Sequence, residues 1–167
     1  DLWTTEGAKY APLLPKGVVV YGELIGWVPG TSTPIQKGYT YQVPTGEARL
    51  FVYRVSVVTE DAGQYDMGDV AMREFCAARG LRVVPKLWEG SKAEFDPAIW
   101  MDQRFAEQEF TGAVPLTRES PVDEGVVIRV EGILPRMWKL KGPEFYAHET
   151  KMLDKGQADI ETEGSAA

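Results

Sequence analysis

Lys139 and Lys141 stand two residues apart in Trp138-Lys139-Leu140-Lys141, so in a strand both side chains leave the same face. Side by side their ammonium groups repel, and an anion such as phosphate relieves that repulsion. Two acidic positions complement them. Glu23 interrupts the otherwise apolar run Val18–Trp27, and Asp123-Glu124-Gly125 leads straight into Val126-Val127-Ile128-Arg129. Charges in strands are costly unless paired, metal-bound or functional, and carboxylates near phosphates commonly hold a divalent metal or a ribose hydroxyl. Together these residue types suit nucleotide binding between an acidic and a basic wall. Each also has a plainer reading: Glu23 as an edge-strand carboxylate facing water, Glu124 as a turn residue, the two lysines as the solvated face of a strand. The ordered set is what points to a site.

The elements that must position these residues follow from local pattern. Val18–Trp27 reads as a strand whose Gly22 and Gly26 mark close approach of backbone or ligand. Residues 28–49 are rich in Pro, Gly and Thr, with Tyr39-Thr40-Tyr41 as a short strand or hairpin arm. Leu50–Val58 is a strong strand. Gly68–Arg79 carries Ala71, Met72, Phe75 and Cys76 at helical spacing, with Asp66 or Asp69 as cap and Gly80 as stop. Leu81–Leu87 returns to strand, and Pro97–Gln108 starts a helix with proline in its first turn. Val126–Val130 and Met137–Lys141 form two further strands around a Gly-Ile-Leu-Pro turn, followed by a helix over Pro143–Leu153. Hairpins and helices interspersed in this way predict an α+β domain built on antiparallel sheets.

Composition narrows the function classes. The 167 residues are 44% hydrophobic and 26% charged, with a net charge of −7 that argues against a protein that coats DNA non-specifically. One cysteine, Cys76, forbids an intrachain disulfide or a multi-cysteine zinc site. One histidine, His148, removes His-pair metal sites and leaves a Ser-His-Asp triad without support. Cys76 on the apolar face of a helix reads as a small core residue, and Trp88, Trp100 and Trp138 as mainly core aromatics. No apolar run approaches membrane-spanning length and no basic-then-apolar leader is present, so the expected location is cytoplasmic, with no membrane partner.

The order of the strings resembles the covalent nucleotidyltransferase superfamily of ATP-dependent DNA ligases, RNA ligases and messenger-RNA capping enzymes. Tyr21-Gly22-Glu23 is similar to that superfamily's third motif, whose Glu contacts the ribose. Phe51-Val52-Tyr53-Arg54 is similar to the aromatic motif that follows, with Tyr53 as the base-stacking ring and Arg54 where an Asp is common. Asp123–Arg129 resembles the fourth motif, which implies Glu124 as metal carboxylate and Val126 or Ile128 beside the purine. Trp138–Lys141 resembles the fifth, whose paired lysines contact the α-phosphate. Gly80–Pro85 with Leu87–Gly90, and Lys141–Tyr146 with Glu149-Thr150-Lys151, resemble segments of RNA ligases in particular.

The resemblance implies an antiparallel-sheet nucleotidyltransferase core, similar to ATP-grasp ligases, over 1–155, with an acidic tail over 156–167. The implied activity is RNA ligation in RNA repair: ATP, with Mg²⁺ or Mn²⁺, adenylates a lysine, and AMP passes to a 5′-phosphate end that is sealed to a 3′-hydroxyl. The implied partners are RNA ends, with DNA ends as the variant substrate and the oligomeric state left open. One departure stands out. The superfamily's nucleophile lies in a Lys-x-Asp-Gly string upstream of the Tyr-Gly-Glu strand, and no such string occurs in the sequence. With Asp1 as first residue, the expectation is an N-terminally incomplete domain, inactive alone. The alternatives are a degenerate nucleotide- or RNA-end-binding relative, a DNA ligase or capping-type enzyme, and an unrelated α+β interaction domain.

Overall fold

A computed structural model describes residues 2–37, 39–61, 63–100, 124–142, 145–147 and 150–151. Helix α1 (Leu2–Tyr10) leads into strand β1 (Val18–Gly26), then β2 (Ala48–Val58), β3 (Gln64–Asp66), helix α2 (Asp69–Ala77), β4 (Arg82–Val83), and a hairpin of β5 (Gly125–Val130) and β6 (Arg136–Lys141). The class is α+β, as expected. The main sheet is mixed, however: β1, β2 and β3 pair antiparallel, whereas β4 adds parallel to β2. β5 and β6 form a separate two-stranded sheet.

The β-branched runs become β1 and β2, the longest pairing among the described residues. A bulge interrupts it. Val20 pairs with Val55 and Tyr21 with Arg54, but Gly22 pairs with Val52, so β2 carries Tyr53 as an extra residue. The bulge shifts the side-chain alternation of β2 by one and brings both Val52 and Val55 to the face packed by α2. There they are fully buried with Met72, Cys76 and Leu81. Gly22 is a site of close approach, since a Cβ there would lie 2.8 Å from the Phe51 carbonyl oxygen. Cys76 is the small core residue expected, and burial pushes its thiol pKa up against the pull of Arg73 and Arg79.

Several expectations are corrected. The N-cap of helix α2 is Gly68, so neither aspartate is the cap, and Asp69 lies in the first turn, pairing with Arg73 and Lys86. Asp66 pairs across the sheet. The extended run after α2 is a two-residue strand: Arg82 and Val83 pair with β2, and the Val84 amide makes one more bond to Val52 before the chain leaves the sheet. Tyr39–Tyr41 is no strand: Tyr41 and Gln42 adopt φ of +51° and +55°, which breaks any extended pairing. Trp88 and Trp138 are half exposed, Trp88 in a satellite cluster with Phe95 and Trp100, and Trp138 on one face of a hairpin that has no third strand among the described residues. The chain is helical at 97–100, 145–147 and 150–151. The remainder of those two expected helices, with Asp123, His148, Glu149 and the acidic tail, lies outside the described residues.

On the sheet face away from α2, Asp66 accepts hydrogen bonds from the Ser56 hydroxyl at 2.6 Å and from Arg54 Nε at 2.9 Å. Burial alone would raise the Asp66 pKa. The Ser56 and Arg54 hydrogen bonds, with the charges of Arg54 and Arg129, outweigh it and hold the carboxyl below the usual range. A depressed carboxylate pKa stabilises the fold above the unfolded-state value, and that contribution is lost as pH falls through the folded value. Asp66→Asn should therefore cost about 1–3 kcal/mol at neutral pH. In urea melts the gap to wild type should close as pH falls through the folded-state value, below the ordinary carboxylate range. A gap independent of pH would assign the loss to packing instead.

Candidate functional site

The hairpin register decides which side chains stand together. Gly125 pairs with Lys141, Val127 with Lys139, and Arg129 with Met137, so these residues share one face. Val126 opposes Leu140 and Ile128 opposes Trp138, on the other face. Lys139 and Lys141 are thus neighbours on one face, as their spacing predicts. Val126 and Ile128 are not brought to them; Val127 is the apolar residue beside Lys139.

Glu124 immediately precedes β5, its side chain 15% exposed. Its Oε2 lies 4.0 Å from Lys139 Nζ, and its Oε1 accepts a hydrogen bond from Gln36 Nε2. Its carbonyl accepts from the Gly142 amide at 3.1 Å, which closes the open end of the hairpin. Lys139 is 57% exposed, so its pairing with Glu124 is solvent-screened. The Lys141 ammonium stands 5.2 Å from the centre of the Phe145 ring and 5.7 Å from that of Tyr146.

Arg129 joins the two sheets. It donates to the Met67 carbonyl oxygen and to Glu131, whose carboxylate also accepts from the Asp69 amide at the start of α2. On the main sheet, Glu23 follows Tyr21 by two residues and shares its face. The Arg54 guanidinium lies 4.6 Å above the Tyr21 ring and pairs with Asp66, which feels the Arg129 charge. The lysine-bearing face of the hairpin and the Glu23-bearing face of the sheet are therefore the two surfaces linked at the Arg129 corner. Tyr53, the bulge residue, is 38% exposed. The unexpected Arg54 has a structural use: it satisfies Asp66 and covers Tyr21.

Metal capacity is limited and specific. Among the described residues no group of three or more His, Cys, Asp or Glu side chains could hold a metal ion, so an all-protein cage has no ligand set there. Mg²⁺ needs less, since it is usually held by one or two carboxylates together with substrate phosphates. Glu124 fits that demand: one oxygen is fixed by Gln36 and the other is turned toward a lysine. Gln36 and Glu131 escaped the sequence reading, and Arg129 entered it as the end of the Asp123–Arg129 string. Gln36 sits in a Pro/Gly/Thr-rich stretch, 88 positions from Glu124, and no local pattern signals that contact. No helix among the described residues is long and apolar enough to cross a membrane.

Fold and site together define an α+β protein whose described residues form two sheets, with a lysine pair and a carboxylate gathered at the open end of a hairpin. An RNA ligase family model matches residues 1–141, and the chain belongs to that family. No curated protein and no solved structure matches the chain at a significant level.

Proposed function

We propose that the full-length protein is an ATP-dependent RNA ligase of the covalent nucleotidyltransferase type. The observation that carries the reading is the hairpin, where Lys139 and Lys141 share a face and the Glu124 carboxylate lies 4.0 Å from Lys139, in a chain of the RNA ligase family. In the proposed first step a lysine amine attacks the α-phosphorus of ATP; the nitrogen–phosphorus bond forms, the α–β bridge breaks and pyrophosphate leaves. A 5′-phosphate of RNA then displaces the lysine and takes AMP, and a 3′-hydroxyl attacks that 5′-phosphorus, expelling AMP.

Within this scheme the chain's own residues position groups and offset charge. Lys139 and Lys141 neutralise charge building on the α-phosphate. Glu23 fixes the ribose, and Tyr53 stacks on adenine. Glu124 would hold Mg²⁺ or Mn²⁺, which supplies charge neutralisation at the phosphates. Val126 and Ile128, on the opposite hairpin face from the lysines, would meet a purine only if it passed behind the hairpin, so Tyr53 is the preferred base contact.

The test is label transfer. The full-length protein with ATP labelled at the α-phosphate and Mg²⁺ should retain label covalently, pass it to 5′-phosphorylated RNA, and release it on joining to a 3′-hydroxyl. Binding of ATP and RNA ends without any covalent adduct would favour the non-catalytic alternative. Transfer only to DNA ends would correct the substrate.

A further inference from the structure

The connection between β1 and β2, residues 27–47, carries more order than its turn-rich composition suggests. Its two ends are tied together: the Trp27 amide donates to Glu47 at 2.8 Å, the Gly30 amide to Gly46 at 2.9 Å, and the Trp27 indole nitrogen to Val43 at 2.8 Å. Ile35, Tyr39 and Val43 are buried, giving the loop an apolar interior of its own. At its far side Tyr41 and Gln42 both hold positive φ, a conformation that non-glycine residues keep only where the surroundings enforce it.

Two of the contacts that leave this loop reach the charged end of the hairpin. Gln36 Nε2 donates to Glu124 Oε1. Tyr39 meets Phe145 edge-on, ring centres 6.2 Å apart, and the buried Phe145 faces the Lys141 ammonium at 5.2 Å, within cation–π range. The same loop thus holds the acidic group directly and the basic group through a ring.

We propose that this loop is a cradle that sets Glu124 and Lys141 relative to each other, with Gln36 and Phe145 as positioning residues for the phosphate chemistry. The inference rests on the function proposed above. A carboxylate with one oxygen held by an amide presents the other in a fixed direction, and loss of such a supporting hydrogen bond typically weakens metal affinity about 10–100-fold. A ring beneath an ammonium limits where the flexible lysine can swing.

The experiment uses the full-length protein. Gln36→Leu should raise the Mg²⁺ concentration for half-maximal adenylation about tenfold or more, while the rate at saturating Mg²⁺ stays near that of wild type. Mn²⁺ titrated in the presence of ATP and followed by electron paramagnetic resonance should weaken in parallel. Phe145→Leu, which keeps apolar packing but removes the π face, should slow adenylation without moving the Mg²⁺ midpoint, and Phe145→Tyr should restore the rate. An unchanged Mg²⁺ midpoint and unchanged Mn²⁺ binding in Gln36→Leu, in a protein disabled by Glu124→Gln, would overturn the cradle alone. Glu124→Gln with normal Mg²⁺ dependence and normal adenylation would overturn the site itself, and the cradle with it.

Discussion

Alanine at Lys139 or at Lys141 is expected to slow adenylation by the full-length protein about tenfold or more at each position, while thermal unfolding of the Lys139 variant stays unchanged. A charge-assisted hydrogen bond to phosphate contributes roughly 1.5–3 kcal/mol, and about 1.4 kcal/mol is a factor of ten in rate. The folding cost is small because Lys139 is 57% exposed and its Glu124 partner is 4.0 Å away, a screened pair. Lys139→Arg should also be slow, since a broad planar fork does not replace a compact ammonium in a fitted site. The measurement is single-turnover transfer of labelled AMP to the protein, set beside a melting curve. If the double alanine variant adenylates and ligates at near-normal rates, these lysines do not meet the reacting phosphate and merely decorate an exposed strand.

Gly125→Ala should be far more damaging to the fold than its size suggests. Gly125 has φ of +125°, where a side chain is strained, and a Cβ there would lie 2.1 Å from the Leu140 carbonyl oxygen and 2.8 Å from the Lys141 Cα. Both obstacles are backbone of the paired strand, so relief requires opening the Gly125–Lys141 pairing that closes the hairpin beside Glu124. Strain of this kind costs about 1–3 kcal/mol before the clash is counted, so a loss of about 3 kcal/mol or more is expected. Gly132→Ala is the internal control. At that position the nearest contact of an added Cβ is the Leu134 carbonyl oxygen at 4.0 Å, and stability should stay within about 0.5 kcal/mol. Chemical denaturation of both variants reads the difference. Equal stability of the two would show that β5 and β6 separate there at little cost.

These two expectations differ in how visible they are from the amino-acid sequence. That Lys139 and Lys141 share a face follows from a two-residue spacing in an apolar strand, because alternation is a property of any extended chain. The same local physics makes β1, β2, β5 and β6 legible as β-branched runs, and α2 legible from Met72 and Cys76 recurring at helical spacing. Glu23 and Glu124 were legible as candidates because a charge beside an apolar strand is costly without a use.

What the tertiary structure alone decided is whatever depends on partners distant in the chain. The extra residue at Tyr53 reverses the alternation of β2, so Val52 and Val55 enter one core although their spacing puts them on opposite faces of a regular strand. The hairpin register gives Val127, rather than Val126 or Ile128, to the lysine face, because pairing depends on where the turn is placed. β4 joins β2 in parallel only because α2 carries the chain back across the sheet. The contact of Gln36 with Glu124 spans 88 positions. A spacing of two or four residues is read from bond geometry, whereas a contact across that distance exists only once the whole chain has chosen one compact arrangement.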